Sequence, residues 1–331
     1  MNEIKATFNI VTPMFISGFD QTKAELRVPS IKGMMRFWWR ASNYDSDINI
    51  LKDKEIKIFG GIDKDIGKSK VSIKLIESEC NLSLKNSKDF FDNKKTSYNK
   101  TVYENENIYK YVGYGLFQKN NREYIDYGSK FTISLIYENN AYGEDLLNSL
   151  KLLGYIGGLG SRWRRGWGSI SLVNLTVNNK EYNGLPNNKE SFKEQLKAIR
   201  NNAIKSINST IYPSYSALSS QTRMKISKKS FNSWEEALFD ISDFYMNYMK
   251  GLSLSERKDF GLPKDKGRND RRASPLLIHV HKIKDNEYYW VCTFLKSYYY
   301  TEKKQNPDDN YKAIDDFFNK LKDEKKGEEI I

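Results

Sequence analysis

The sequence predicts an α+β protein made of two compact units. Its 331 residues correspond to about two domains at roughly 150 residues each, and 39% of them are hydrophobic, which is enough for a core in each unit. Segments that alternate apolar and polar residues, typical of strands, are interspersed with segments of helical apolar spacing. Aromatic residues make up 14% of the chain, a share that excludes disorder of the whole protein.

The elements of the first half follow a defined order. Residues 3–11 alternate apolar and polar side chains, so they predict the first strand. Ser30 is a common N-cap residue, and the apolar spacing after it predicts a helix that ends near Ser42. Further strands are predicted over residues 69–76, 108–118, 130–137 and 168–177, and a second helix over residues 143–156. The resulting order, β-α-β-β-β-α-β, is that of a ferredoxin-like (RRM-like) unit with an inserted hairpin arm, which we assign to residues 1–178.

The second half, residues 179–331, predicts a degenerate copy of the same unit, so the whole chain is expected to hold tandem ferredoxin-like domains. After a polar linker, the predicted elements are a helix over 191–207, an extended segment over 211–227, a helix over 232–250, hairpin strands over 275–284 and 287–296, and a helix over 307–322. Residues 251–273 are expected to form a long basic loop. The charged C-terminal residues leave two outcomes open, a frayed end or a last strand.

The composition excludes several classes of protein. Cys80 and Cys292 are the two cysteines, so neither a disulfide framework nor a thiolate zinc site is expected, and a reducing compartment is favoured. The first residues lack the apolar run of a signal peptide, and no stretch reaches the roughly 18 to 20 apolar residues of a membrane span. We therefore expect a cytoplasmic protein that does not contact a membrane.

The charge of the chain favours an anionic partner. Lys and Arg number 54 against 42 Asp and Glu, which gives a net charge of +12 at pH 7. The excess is concentrated in four basic windows, residues 23–40, 161–168, 223–229 and 250–272. The first two windows place arginines beside tryptophans, a combination that can neutralise phosphates and stack on unpaired bases. For any single window the alternative is a solvated charged face with aromatic side chains in the core.

The most specific local feature is the glycine-rich loop, which we define as residues 157–168. It holds five glycines and three arginines between a predicted helix and a predicted strand. Glycines let the backbone approach a phosphate closely and arginine donates bidentate hydrogen bonds, so the loop predicts a cradle for a nucleic-acid backbone. It lacks the Gly-Lys-Ser/Thr ending of a nucleotide-hydrolysing loop. The alternative interpretation is a glycine helix cap followed by a tight turn.

The sequence contains no arrangement of residues that predicts catalysis. Its two histidines, His279 and His281, alternate on one face of a predicted strand, where they could form a metal pair or include a general base. The alternative, a strand face shared with ordinary neighbours, is favoured because the nearest acid, Asp285, lies at the predicted turn. We therefore expect no catalytic residues, no metal site and no cofactor.

Several segments of the chain resemble one protein family. TPMF at 12–15, the run 25–40 that contains PSIKG and RFWWR, and IFGG at 58–61 are similar to the N-terminal half of the first subunit of Cmr complexes, the type III-B CRISPR effectors. The glycine-rich loop resembles that of the wider RAMP superfamily. RASPL at 272–276 resembles a later element of the same Cmr subunit.

The resemblance implies a non-catalytic subunit of an RNA-guided complex in antiviral defence, with a tandem ferredoxin-like fold. It also implies binding of guide RNA near its 3′ end, help in the capture of target RNA, and contacts with other Cmr subunits. The residues predicted to bind RNA are Lys32, Arg36, Arg40, Gly158, Gly160, Arg162, Trp163, Arg164, Arg165, Arg271 and Arg272.

Two other functions stay open at this point. The first is an endoribonuclease of the guide-processing RAMP kind, which would use His279 or His281 as an acid or base. The second is a structural scaffold whose basic faces meet acidic neighbouring subunits.

Overall fold

Two antiparallel β-sheets and the helices packed on them form the part of the chain that the computed structural model describes. That part comprises residues 1–61, 68–87, 90, 108–117, 122–204, 212–261, 272–298 and 311–331. The fold is mixed α/β with antiparallel sheets, which agrees with the predicted α+β class. None of the helices within these ranges is long and apolar enough to cross a membrane.

The elements are numbered in chain order over the described residues. The strands are β1 (Asn2–Ile10), β2 (Val71–Leu75), β3 (Leu84–Asn86), β4 (Glu123–Ile125), β5 (Lys130–Tyr137), β6 (Ile170–Val177), β7 (Lys180–Glu181), β8 (Arg223–Ser227), β9 (Leu276–Lys284), β10 (Glu287–Phe294) and β11 (Gly327–Glu329). The α-helices are α1 (Val28–Ser42), α2 (Ile48–Phe59), α3 (Gly143–Tyr155), α4 (Lys189–Ile204), α5 (Trp234–Lys250), α6 (Leu254–Arg257) and α7 (Lys312–Asp323). Short 3₁₀ helices occupy Glu77–Glu79, Asn140–Tyr142 and Lys258–Phe260.

The first sheet has the strand order β2-β5-β1-β6-β7, with β1 paired antiparallel to both β5 and β6. Side chains alternate between the two faces of a strand, and Ile4, Ala6 and Phe8 of β1 are accordingly buried on one face. Helix α3 packs closely on that face, because a Cβ placed on Gly154 would stand 3.1 Å from the Phe8 ring. Strands β3 and β4 form a separate two-stranded sheet.

The second sheet has the order β11-β8-β10-β9 and carries packed side chains on both faces. Leu277 and Val291 join the core cluster of the first sheet. Ile278 and Trp290 belong to a second cluster, to which α5 and α7 contribute most of their buried residues. The second sheet therefore lies between its own helices and the first half of the chain.

One predicted element of the first half was wrong. Residues 108–112, expected as part of a strand over 108–118, are helical, and residues 113–116 form a turn. The physical reason is that Tyr109, Val112 and Leu116 follow one another at helical spacing and are buried. The aromatic residues of this segment also alternate, as in a strand, and the alternation led to the wrong prediction.

Other boundaries shifted for local reasons. Helix α1 begins at Val28 rather than after Ser30, because Pro29 occupies its first turn, where proline is well tolerated. Strand β8 covers only the end of the segment that was expected to be extended over 211–227. The C-terminal residues add the strand β11 instead of fraying.

Candidate nucleic-acid interface

The glycine-rich loop, residues 157–168, leads from α3 into β6 and touches both halves of the protein. Toward the first half, the N–H of Ser161 donates to the carbonyl of Phe15 at 2.8 Å. Toward the second half, the N–H of Ile278 on β9 donates to the carbonyl of Arg164 at 3.0 Å. The loop is therefore held between the segment after β1 and the edge strand of the second sheet.

The glycines of the loop allow the chain to pack closely against itself. Gly160 has a φ of +83°, and a Cβ there would stand 2.5 Å from the carbonyl oxygen of Phe15. A Cβ on Gly158 would stand 2.7 Å from the carbonyl oxygen of Gly168. The close packing of the chain on itself is thus sufficient to explain both glycines, in keeping with the alternative interpretation of the sequence.

Arg164 and Arg165 reach the second half of the chain. Arg164 donates from Nη1 to the carbonyl of Ser274, and its guanidinium lies 5.2 Å from the ring centroid of Phe37. Burial lowers the pKa of Arg164 to about 10. The guanidinium of Arg165 lies 4.5 Å from the ring centroid of Tyr245 on α5. These two arginines join the halves of the protein and are held within it.

Trp163 also faces the interior of the protein more than the solvent. Its half-buried ring lies edge-on to Phe37 at 5.6 Å and to Trp38 at 6.2 Å between centroids. The ring therefore fixes the loop on α1.

Arg162 is the exposed arginine of the three in the loop. It adopts a φ of 63°, a left-handed conformation uncommon for a residue with a side chain. Its Nε donates to the carbonyl of Tyr114 at 2.8 Å, and its guanidinium lies 6.0 Å from the Tyr114 ring centroid. The Tyr114 residue is 62% exposed. A cation and an aromatic ring are thus presented together to solvent.

The basic residues of α1 hold α2 in place. Arg36 and Arg40 both donate to Oε1 of Glu55, at 2.5 Å and 2.6 Å, and Glu55 is 5% exposed. About a third of each arginine side chain, 34%, remains exposed. Lys32 donates to the hydroxyl of Ser69 at 3.1 Å, and burial, followed by the charge of Arg36, lowers the Lys32 pKa.

Arg272, the predicted RNA-binding residue of the second half that the structure describes, has intramolecular partners. Arg272 donates from Nη1 to the hydroxyl of Tyr311 at 2.9 Å and from Nη2 to the carbonyls of Lys258 and Asp259. Arg272 therefore joins the residues before β9 to the turn after α6. Arg271 lies outside the described residues.

Both histidines are buried inside the protein. His279 is 1% exposed, and its Nδ1 donates to the carbonyl of Gly157 at 2.7 Å. His281 is 2% exposed and stacks on Phe192 with ring centroids 3.9 Å apart. Burial lowers the pKa of His279 to about 3, and burial together with the charge of His279 lowers that of His281. In the described part of the chain, no group of three or more His, Cys, Asp or Glu residues is placed to hold a metal ion.

Sequence reasoning missed three residues that matter here. Glu55 lies on α2, a helix that was not predicted, and Tyr114 lies in the segment that was predicted as a strand. Phe19, in the loop after β1, is 103% exposed. The signal available for Phe19 was a large apolar residue among small polar ones, Ser17-Gly18 before it and Asp20-Gln21 after it.

Comparisons with known proteins place this chain in a family. A model of the RAMP superfamily matches residues 7–171. The curated CRISPR system Cmr subunit Cmr1-1 of Pyrococcus furiosus is 30% identical over 302 residues, which cover 84% of this chain and 82% of that relative. The chain belongs to the Cmr1 family of the RAMP superfamily. Cmr1-2 of the same organism is 30% identical over 180 residues, which cover 50% of this chain and 92% of that relative.

Solved structures of Cmr1-family and related chains have the same fold. The crystal structure of apo Cmr1 from Pyrococcus furiosus aligns with a TM-score of 0.65 at 23% identity, over 100% of this chain and 99% of that one. A chain in the cryo-EM structure of the type III-B Cmr-beta complex bound to cognate target RNA aligns with a TM-score of 0.56 at 13% identity, over 96% and 99% of the two chains.

Proposed function

We propose that this Cmr1-family chain is a non-catalytic subunit of a type III-B CRISPR effector complex in antiviral defence. It binds guide RNA near the 3′ end, helps to capture target RNA, contacts other Cmr subunits and acts in the cytoplasm. Family membership supports the proposal, since the curated relatives are named as Cmr subunits. The similar chain in Cmr-beta belongs to a complex bound to cognate target RNA.

The proposal that the protein binds RNA rests mainly on one pair of residues, Arg162 at the tip of the glycine-rich loop and Tyr114 beside it. An exposed guanidinium 6.0 Å from an exposed ring can neutralise a phosphate and stack on an unpaired base with the same surface. Arg164 and Arg165 lie in the same loop, but their side chains contact the second half of the chain. We therefore assign the loop's RNA contact to Arg162.

Helix α1 supports a second RNA contact, at Gly33. Gly33 is exposed in the interior of a helix, where glycine costs roughly 1 kcal/mol relative to alanine. A Cβ at this position would meet nothing within 4 Å, so packing within the described chain does not require the glycine. An open position beside Lys32 and Arg36 suits the close approach of a phosphate backbone, and the two arginines bound to the single Glu55 leave an excess of positive charge.

We further infer that each half is a ferredoxin-like unit, with a boundary near residue 178. The support is the strand order. Leaving aside the arm β3-β4 and the short β7, the first sheet holds four strands. Numbered in chain order, they lie side by side as second, third, first and fourth (β2-β5-β1-β6). The four strands of the second sheet, read from β9, lie in the same order (β9-β10-β8-β11). Along the chain, the first half reads β1-α1-β2-β5-α3-β6 apart from α2, the arm and β7, and the second half reads β8-α5-β9-β10-α7-β11 apart from α4 and α6. Both are the β-α-β-β-α-β order. The hairpin β3-β4 corresponds to the inserted arm.

The endoribonuclease alternative has little support from geometry. A general acid or base must come within hydrogen-bond reach of the reacting group. His279 and His281 are almost completely buried, and the His279 Nδ1 is bound to a backbone carbonyl. We therefore favour the non-catalytic role.

The test is a titration of labelled single-stranded RNA at two salt concentrations, with each sample then run on a denaturing gel. Arg162→Gly removes the guanidinium at a φ that glycine adopts freely, so the fold is preserved. We expect weaker binding, a log-log salt slope smaller by about 0.7 for each phosphate that is no longer neutralised, and intact RNA. Lys197→Ala, which removes an exposed cation of α4, is the matched control and keeps the wild-type slope. Wild-type protein that neither binds RNA nor co-assembles with other Cmr subunits would contradict the proposal.

A further inference from the structure

Phe19 is the most exposed large apolar residue in the described part of the chain. It lies in the loop between β1 and α1, and its exposure of 103% means that the surrounding residues cover none of it. Single exposed apolar residues are common on protein surfaces, so the exposure of Phe19 is informative only together with its surroundings. Its ring is not used in the packing of the described chain and is free to contact a partner.

The loop that carries Phe19 is held by hydrogen bonds on both sides of the ring. The carboxylate of Asp20 accepts from the N–H of Thr22 at 2.8 Å, and Gln21 donates from Nε2 to the carbonyl of Gly18 at 2.8 Å. Lys23 forms an ion pair with Glu123 of β4 at 2.8 Å. The backbone at Phe19 is thus held in a turn of defined geometry, so the ring projects from a fixed backbone position while its own rotamer stays free.

The same loop adjoins the proposed RNA contact. Phe15, at the start of the loop, accepts from the N–H of Ser161 at 2.8 Å, and the next residue is Arg162. Gly160 packs directly on the Phe15 carbonyl. The Phe19 loop and the tip of the glycine-rich loop therefore share one flank of the protein.

The charges near Phe19 are compatible with an anionic strand. Two acids lie beside the ring. The N–H and the hydroxyl of Thr22 both donate to Oδ1 of Asp20. The carboxylate of Glu25 lies against Gly18 and 3.7 Å from the guanidinium of Arg27. Each carboxylate thus has a donor or a cation of the same loop as a partner. Arg162, by contrast, presents its guanidinium to solvent beside Tyr114.

We propose that Phe19 stacks on an unpaired base of the RNA strand whose phosphate is bound at Arg162. This inference rests on the proposed RNA-binding function and adds to it a specific stacking residue. An aromatic ring offers a sequence-tolerant face to any base, while the neighbouring cation fixes the backbone. Since Tyr114 lies beside Arg162, the strand would meet two rings, with Phe19 as the wholly exposed one.

The test uses the full chain and a single-stranded RNA that carries 2-aminopurine at successive positions, because the fluorescence of this base falls when it stacks. Wild-type protein is expected to quench one position. Phe19→Ala is expected to abolish that quenching and to weaken binding about 5-fold or more, the low end of the effect of one base–aromatic stack. Phe19→Trp keeps both signals, whereas Phe19→Leu, which is apolar but lacks a ring, behaves like Phe19→Ala. Melting temperatures of all three variants match the wild type, because the side chain packs on nothing.

Three results would overturn the inference while leaving RNA binding in place. The first is Phe19→Ala with wild-type affinity and quenching although Arg162→Gly binds weakly. The second is Phe19→Leu with the affinity and quenching of Phe19→Trp, which would indicate a general apolar contact. The third is unchanged RNA binding together with failure of Phe19→Ala to assemble into complexes with other Cmr subunits, which would assign the ring to a protein pocket. A wild-type protein that binds no single-stranded RNA would overturn the proposed function and this inference together.

Discussion

The hydroxyl of Ser171, on β6 of the first sheet, accepts a hydrogen bond from the backbone N–H of Lys282, on β9 of the second sheet, at 3.0 Å. β9 is the edge strand of its sheet, so the outward N–H groups of this strand have no strand partner. Ser169 repeats the contact two residues away, where its hydroxyl accepts from the N–H of Val280 at 3.1 Å. The carbonyl of Arg164 accepts a third hydrogen bond, from the N–H of Ile278. The first half of the chain therefore accepts hydrogen bonds from three alternate N–H groups of this edge strand.

The two serines are therefore expected to contribute to stability across the junction of the halves. In the variant Ser169→Ala/Ser171→Ala, the buried N–H of Val280 loses its acceptor, at about 1–3 kcal/mol, and the partly buried N–H of Lys282 loses its acceptor at a smaller cost. Chemical denaturation should show a lower midpoint. Ser72→Ala, an exposed serine on β2 of the same sheet, is the control and should leave the midpoint unchanged. Equal midpoints for the double variant and the control would show that these contacts add nothing.

The fold was predictable wherever one stretch of sequence carries its own signal. Helix α3 has apolar residues at helical spacing, and acidic residues fill its first turn. The hairpin β9-β10 joins two largely apolar runs through Asp285-Asn286, and Asn286 takes a left-handed φ of 59°, which asparagine tolerates better than most residues. In these segments the local pattern and the tertiary structure agree.

The candidate site was predictable by residue type but not by orientation. Arg162, Arg164 and Arg165 are equivalent in the sequence, and their roles differ because Ile278, more than a hundred residues later, pairs with the loop. Helix α2 was missed for a related reason. Glu55 appears as a surface residue in the sequence, but it is buried beneath arginines of α1. Long-range partners of this kind leave no local pattern.

The buried histidines predict a loss of stability in acid. The folded pKa of His279, about 3, lies below its ordinary value of 6.5, so the unfolded chain binds the proton first. The stability that neutral His279 contributes is complete above pH 6.5 and falls as the pH drops toward 3, by up to about 1.4 kcal/mol per pH unit. Denaturation midpoints measured from about pH 7 to about pH 5 check this. His279→Asn, which can keep the hydrogen bond to the Gly157 carbonyl, should show a shallower decline, and a parallel decline in both proteins would contradict the assignment.

Glu55 affects two properties at once, the stability of the protein and the positive charge of Arg36 and Arg40 on α1. Glu55→Gln removes the carboxylate shared by Arg36 and Arg40, and we expect a loss of about 1–3 kcal/mol, less than for a fully buried pair because both arginines are partly exposed. The same change raises the net charge and leaves the two guanidiniums without their counter-charge, although the glutamine oxygen can still accept a hydrogen bond from them. RNA should therefore bind more tightly to Glu55→Gln, with a steeper salt slope, although the protein melts at a lower temperature. Lower stability with unchanged RNA affinity would mean that this face of α1 does not contact RNA.

Gly33 offers the clearest separation of binding from stability. Gly33→Ala places a methyl group in open space on α1, so the helix should gain roughly 1 kcal/mol and the melting temperature should rise. If a phosphate backbone approaches Gly33 closely, the same methyl group must push it away, and the affinity for single-stranded RNA should fall. No general damage to the fold can raise the melting temperature and lower the affinity at once. A variant that is more stable and binds RNA as tightly as the wild type would instead leave the exposed glycine of α1 without a role in RNA binding.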